Sequence, residues 1–187
     1  MNIQMIVLPA LVILALVILG VILFVVFSSR TRSNQLQDRF GTEYEHTVQT
    51  LGDEKKAQTE LEGRQKHVEA LDIRPLTLIE QERYTAEWAA VQSKFVDEPG
   101  QAIVEADRLI MEVMQLRAYP ISDFEQRAAD VSVTYPALVS NYRAARLIAL
   151  KNEVNLATTE ELRQAMIYYR SLFEELLVTE TVSAQGA

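Results

Sequence analysis

Residues 5–27 read MIVLPALVILALVILGVILFVVF, a run without one charged or strongly polar side chain. At about 1.5 Å per residue, a helix of this length spans roughly 34 Å. A hydrocarbon core is about 30 Å thick. In lipid the backbone must satisfy its own hydrogen bonds, so the run is expected to form a single membrane-spanning helix. Residues 1–4 carry no charged side chain, whereas Arg30, Arg32 and Arg39 follow the run. The positive-inside rule keeps that flank in the cytoplasm and sends the short N-terminal segment outward. A cleaved signal peptide would instead need a basic leader, a shorter apolar core and a small-residue cleavage site.

Charge narrows what the rest of the chain can do. The formal net charge is −8, and residues 74–187 hold 11 basic against 17 acidic side chains. An acidic body is repelled by an anionic leaflet and lacks the basic stripe that nucleic acid requires. The absence of cysteine excludes disulfides and thiolate chemistry.

Residues 28–72 are charged and free of proline, which reads as a helical stalk. Leu36, Phe40, Tyr44, Val48 and Leu51 lie three or four apart, followed by Leu61, Val68 and Leu71. Lys55 and Gln58 interrupt that stripe, short of the clean heptads of a sustained coiled coil, yet self-association through the stalk is a natural expectation. Gly41, Gly52 and Gly63 recur every 11 residues and would share one side of a continuous helix. They are either incidental surface glycines or a strip where a second helix approaches. Glu43 and His46 make one Glu-x-x-His pair, half of what a di-iron bundle needs. No metal or other cofactor is expected.

Residues 73–178 carry helix signals at short intervals. Capping boxes are expected at Thr77/Glu80, Ser122/Glu125 and Thr158/Glu161. Asp97 is expected to cap a helix with Pro99 in its first turn, and Pro136 to open another. The apolar stripes are Tyr84, Trp88, Val91 and Phe95; Ala102, Ala106, Leu109, Val113 and Leu116; Leu138, Tyr142, Ala145 and Ala149; and Leu162, Met166, Tyr169, Phe173 and Leu176. No segment alternates as a strand does. The expected fold is therefore all-α, an antiparallel bundle of four to five helices behind the anchor and stalk. Residues 179–187 are expected to be a disordered tail.

The densest chemistry lies in DFEQRAADVSV and NYRAAR, where Asp123, Arg127, Asp130 and Arg143 stand near two helix starts, with Glu125 and Arg146 beside them. Nine arginines against two lysines in residues 74–187 favour forked pairing with carboxylates. These side chains either line a pocket for a phosphate or carboxylate, or form salt bridges that fix helix register. Residues 73–178 contain no histidine, no glycine-rich phosphate loop and no nucleophile elbow, so no catalytic residue is singled out.

The strings ERYTAEW, FVDEPGQAIVEADRLIMEVM, RAYPISDFEQRAADVSVTYPALVSNYRAA and TEELRQAMIYYRSLFEELL carry a resemblance. Over residues 80–177 and in the anchor-plus-stalk layout, the chain resembles a family of uncharacterised bacterial single-pass membrane-anchored proteins with FVDxP and DFEQRAAD motifs. The resemblance implies a bacterial inner-membrane setting and a fold, and brings no activity. Against that pattern Ala118 stands where glycine is expected, and Thr134-Tyr135 where Asp-His is expected. The expected function is a membrane-tethered helical interaction or scaffold module with a protein partner at the membrane. A small-ligand sensor or enzyme built on the Arg/Asp cluster is the alternative.

Overall fold

The computed structural model describes residues 31–120 and 123–178. The predicted span, the 1–4 segment and the expected tail lie outside these residues. Every element described is helical: α1 (31–40), α2 (Thr42–Leu51), α3 (Glu54–Glu69), α4 (Leu78–Lys94), α5 (Pro99–Leu116), α6 (Phe124–Thr134), α7 (Val139–Glu153) and α8 (Thr159–Leu177). No described helix is long and apolar enough to cross a membrane.

Local chemistry sets most helix starts. Thr77 and Thr158 each accept from the backbone N–H three residues on, while Glu80 and Glu161 reach back to the cap N–H, completing two capping boxes. The start of α6 differs from expectation. Asp123 is the cap, its carboxylate accepting from Gln126 N–H at 2.9 Å, and Ser122 lies outside the described residues. Glu98, rather than Asp97, occupies the cap of α5 and makes no side-chain cap bond; Pro99 at the first turn needs no N–H partner there. Pro136 falls in a turn, and α7 begins at Val139.

Two helices end in the same left-handed device. Beyond α5, Ala118 takes φ 70°, with Ala118 N–H donating to Gln115 O and Tyr119 N–H to Met114 O. Beyond α7, Asn155 takes φ 56°, and Asn155 and Leu156 N–H donate to Asn152 O and Lys151 O. Both are Schellman motifs, a geometry that favours glycine or asparagine at the turning residue.

The main core joins the stripes of α4, α5, α7 and α8, with Leu76 and Tyr119 from connecting segments and Ala128 and Val131 from α6. Trp88 stacks on Phe173 at 4.4 Å between ring centroids, and Tyr142 meets Tyr169 edge-on at 6.3 Å. Lys94 pairs with Glu105, and Lys151 with Glu161, so α4/α5 and α7/α8 are antiparallel neighbours. The densely packed α5 and α8 instead run parallel, because Arg117 at the end of α5 donates to Leu176 O at the end of α8. Arg117 is buried and also donates to Tyr135 Oη at 2.8 Å and Arg74 O at 3.3 Å, tying the entry to α4, the end of α6 and the end of α8.

The segment expected to be a stalk is folded back on the bundle. Gly41 adopts φ 53°, ψ −126°, a conformation open only to glycine, and Gly52 adopts φ 65°. These two breaks interrupt the helical stripe at residues 41 and 52, so no coiled coil runs through residues 31–69. The same breaks remove the glycine strip: Gly63 has no neighbouring atom within 4 Å of where a Cβ would stand. Leu36, Phe40, Tyr44, Leu61 and Val68 form a second, smaller core closed by Val133 of α6.

Candidate functional site

The joint between this small core and the bundle is polar. Glu43, on the first turn of α2, is 2% exposed. Arg143 of α7 donates to both of its carboxylate oxygens at 2.6 and 2.9 Å, and Arg64 of α3 donates to Oε1 at 2.8 Å. His46 Nδ1 stands 3.8 Å away. Burial alone would raise the Glu43 carboxyl, but the two guanidinium groups outweigh it and hold the group below the usual range. The Glu-x-x-His pair is thus absorbed into an ion-pair clamp spanning 100 residues of sequence.

A second carboxylate borders the same joint. Asp130 of α6 is fully buried; its Oδ1 accepts from Gln126 Nε2 at 2.8 Å and lies 3.5 Å from His67 Nε2, while Oδ2 has no hydrogen-bond partner. Burial pushes this carboxyl upward against the opposing pull of Gln126, His67 and Arg64. Ser132 Oγ, two residues further along α6, is 3.5 Å from Arg64 Nη1.

The four residues singled out in the sequence therefore separate. Asp123 caps α6. Arg127 lies 5.9 Å from the Phe124 ring centre and lines a cleft of about 240 Å³ with Met111, Met114, Tyr119 and Pro120. Arg143 belongs to the Glu43 clamp, and Asp130 faces α3. Arg146 lies 3.4 Å from Asp107 and, like Arg127, 5.9 Å from the Phe124 ring centre.

Behind Phe124 the bundle holds a buried polar group. The Tyr142 and Tyr169 hydroxyls and Asp107 Oδ1 are buried without a well-aligned hydrogen bond. Burial raises both phenols, Tyr169 further because Asp107 stands beside it. Arg64 went unmarked in the sequence. No local signal marks it: only the chain reversal at Gly52, which lays α3 on α2, brings residue 64 to residue 43.

Comparison with known protein families, with characterised proteins and with solved structures finds no match for this chain.

Proposed function

We propose that the chain is a membrane-tethered helical interaction module: a single-pass anchor at residues 5–27, N-terminus outside, carrying a helical bundle on the cytoplasmic face of a bacterial inner membrane. The observation that carries this reading is the uncharged 23-residue run with arginines on one flank only. A tether raises the effective concentration of the bundle near membrane partners, so modest contacts suffice. The exposed side chains Leu147, Leu150, Val154 and Leu156 along and after α7 offer apolar area for such a contact.

In-cell crosslinking and capture, with the full chain and with a chain lacking residues 1–30, tests the reading. A membrane protein enriched only with the full chain supports it; equal backgrounds in both count against it. A reporter fused after Ala187 tests orientation, and activity confined to the outside of the cell overturns the cytoplasmic assignment. The cleft beside Arg127 supports a second reading, a sensor of small carboxylates or phosphates. A thermal-shift screen with such compounds tests it, and no stabilisation by any of them discards it.

A further inference from the structure

We propose that the cleft between α5 and α6 binds an arylalkyl monocarboxylate: a phenyl ring on a short aliphatic arm ending in one carboxylate, with the ring against Met111 and Met114 and the acid on Arg127. The inference rests on the small-ligand reading of this cleft and names the class of ligand it takes.

The chain builds the cleft from three consecutive pieces. Met111 and Met114 stand three apart on the last turns of α5 and so share one face. The left-handed turn at Ala118 then folds Tyr119 and Pro120 back beside them, with Tyr119 N–H donating to Met114 O at 3.0 Å. Arg127 enters from α6, one turn after its Asp123 cap. Met114 and Tyr119 are buried and form the floor, while Met111, Pro120 and Arg127 are half-buried and form the walls. The Tyr119 hydroxyl is engaged with Thr134 Oγ1 at 3.4 Å, so its ring is what the cleft meets.

Charge and polarity decide what such a lining accepts. Of these five side chains, Arg127 is the one that brings strong donors to a ligand. A phosphate or a polyacid needs several donors to replace its water, and one guanidinium among methionines leaves most of its oxygens without a partner. At the rim, Arg108 is tied to Glu112 of the next turn, and that carboxylate repels a second negative charge. A single carboxylate matches the fork of Arg127 and brings no second charge. Arg127 keeps its other contacts meanwhile. A guanidinium carries five donors, and the Phe124 ring centre at 5.9 Å and the Tyr142 hydroxyl hold it in place rather than neutralise it.

The apolar part of the ligand follows from size and from sulfur. At about 30 Å³ for each water-sized group, a volume of about 240 Å³ admits roughly eight non-hydrogen atoms, a phenyl ring and a two-carbon arm. Methionine sulfur favours contact with an aromatic ring, and two methionines line this space. Each methylene moved from water onto this surface is worth roughly fourfold in affinity, so the arm counts until the cleft is full.

The test is isothermal titration calorimetry of the full chain in detergent micelles, with heats from protein-free micelles subtracted. The probes are benzoate, 3-phenylpropionate, 3-phenylpropanamide, inorganic phosphate and citrate. In the parent, 3-phenylpropionate is expected to bind at least tenfold more tightly than benzoate and than its own neutral amide. Met111→Trp, which fills the cleft, is expected to abolish that binding, and Arg127→Gln to erase the preference for acid over amide. An amide that binds the parent as well as the acid does overturns the proposal, a comparison that needs no variant to fold. Benzoate that matches 3-phenylpropionate overturns it too, as does binding unchanged by Met111→Trp or an acid preference that survives Arg127→Gln. Phosphate or citrate binding more tightly than 3-phenylpropionate also overturns it but leaves the small-ligand reading standing, whereas no binding by any probe discards both.

Discussion

Replacing Ala118 by glycine is expected to stabilise the protein. Ala118 is the turning residue of the Schellman motif after α5, at φ 70°. A left-handed conformation costs an L-residue about 1–2 kcal/mol, because Cβ crowds the following carbonyl. Glycine avoids that cost but has a freer unfolded chain, which takes back about 0.4–1 kcal/mol. The Ala118 methyl is exposed, so no packing is lost with it. Both motif hydrogen bonds are backbone-to-backbone and survive the change. The net gain is about 0.5–1 kcal/mol, or roughly 1–4 °C in the thermal midpoint of a domain this size. Circular dichroism melts of the parent, Ala118→Gly and Asn155→Gly measure it. Asn155 occupies the equivalent position after α7, where asparagine tolerates the conformation better, so its replacement should gain less. A midpoint that falls or stays put in Ala118→Gly refutes the reasoning, since no other contact of the residue is available to explain it.

Three further outcomes are expected. Gly41→Ala meets no steric neighbour, yet it forces a side chain into φ 53°, ψ −126°, at a cost of about 1–3 kcal/mol; hydrogen exchange should quicken across residues 31–51, and unchanged exchange there contradicts the assigned turn. Asp130→Asn should hold or raise stability at neutral pH: the Asp130 carboxyl is shifted upward in the fold, so its contribution is full below the unfolded value and is lost as pH rises through the folded one. A large drop in urea midpoint for Asp130→Asn at pH 7 would show that the charge itself is needed. Glu80 and Glu161 are held down at about 2, by Arg74 and Lys151 respectively and by their cap N–H groups. Because their ordinary value is 4.5, their contribution is present above that pH and fades as pH falls toward 2. Helicity followed in acid should lose part of its decline in Glu80→Gln and Glu161→Gln, and superimposable acid curves would dismiss the pairing.

Much of the bundle was legible because its signals are local. A threonine three residues before a glutamate satisfies two orphan N–H groups within one turn, and that chemistry needs no tertiary partner. Leu162, Met166, Tyr169, Phe173 and Leu176 bury one face of α8 wherever the helix packs, so their spacing alone marks them as core. The errors arose where two local choices compete. Asp123 outcompetes any cap one residue earlier because its own extended backbone and carboxylate reach Gln126 N–H. Gly41 and Gly52 are compatible with a continuous helix at modest cost. Their turns appear only because Phe40, Tyr44 and Leu61 then gain a shared core against Val133.

The candidate site divides along the same line. That Arg143 and Asp130 would face ionisable partners was readable from residue type, since a guanidinium near buried surface seeks a carboxylate, whereas the helix cap of Asp123 and the ring contact of Arg127 were not. Which partner each takes was not readable either. Arg143 reaches past its near neighbours to Glu43, 100 residues away, and Arg117 finds two carbonyls and a phenol on three separate segments. The sequence by itself determined the helices, their buried faces and the apolar run expected to anchor them, because hydrogen bonding within a turn and side-chain periodicity are properties of neighbouring residues. Only the tertiary structure decided that residues 31–69 fold back and that Glu43 closes the joint, because an ion pair between distant segments exists only once packing has removed the water that would otherwise solvate each charge.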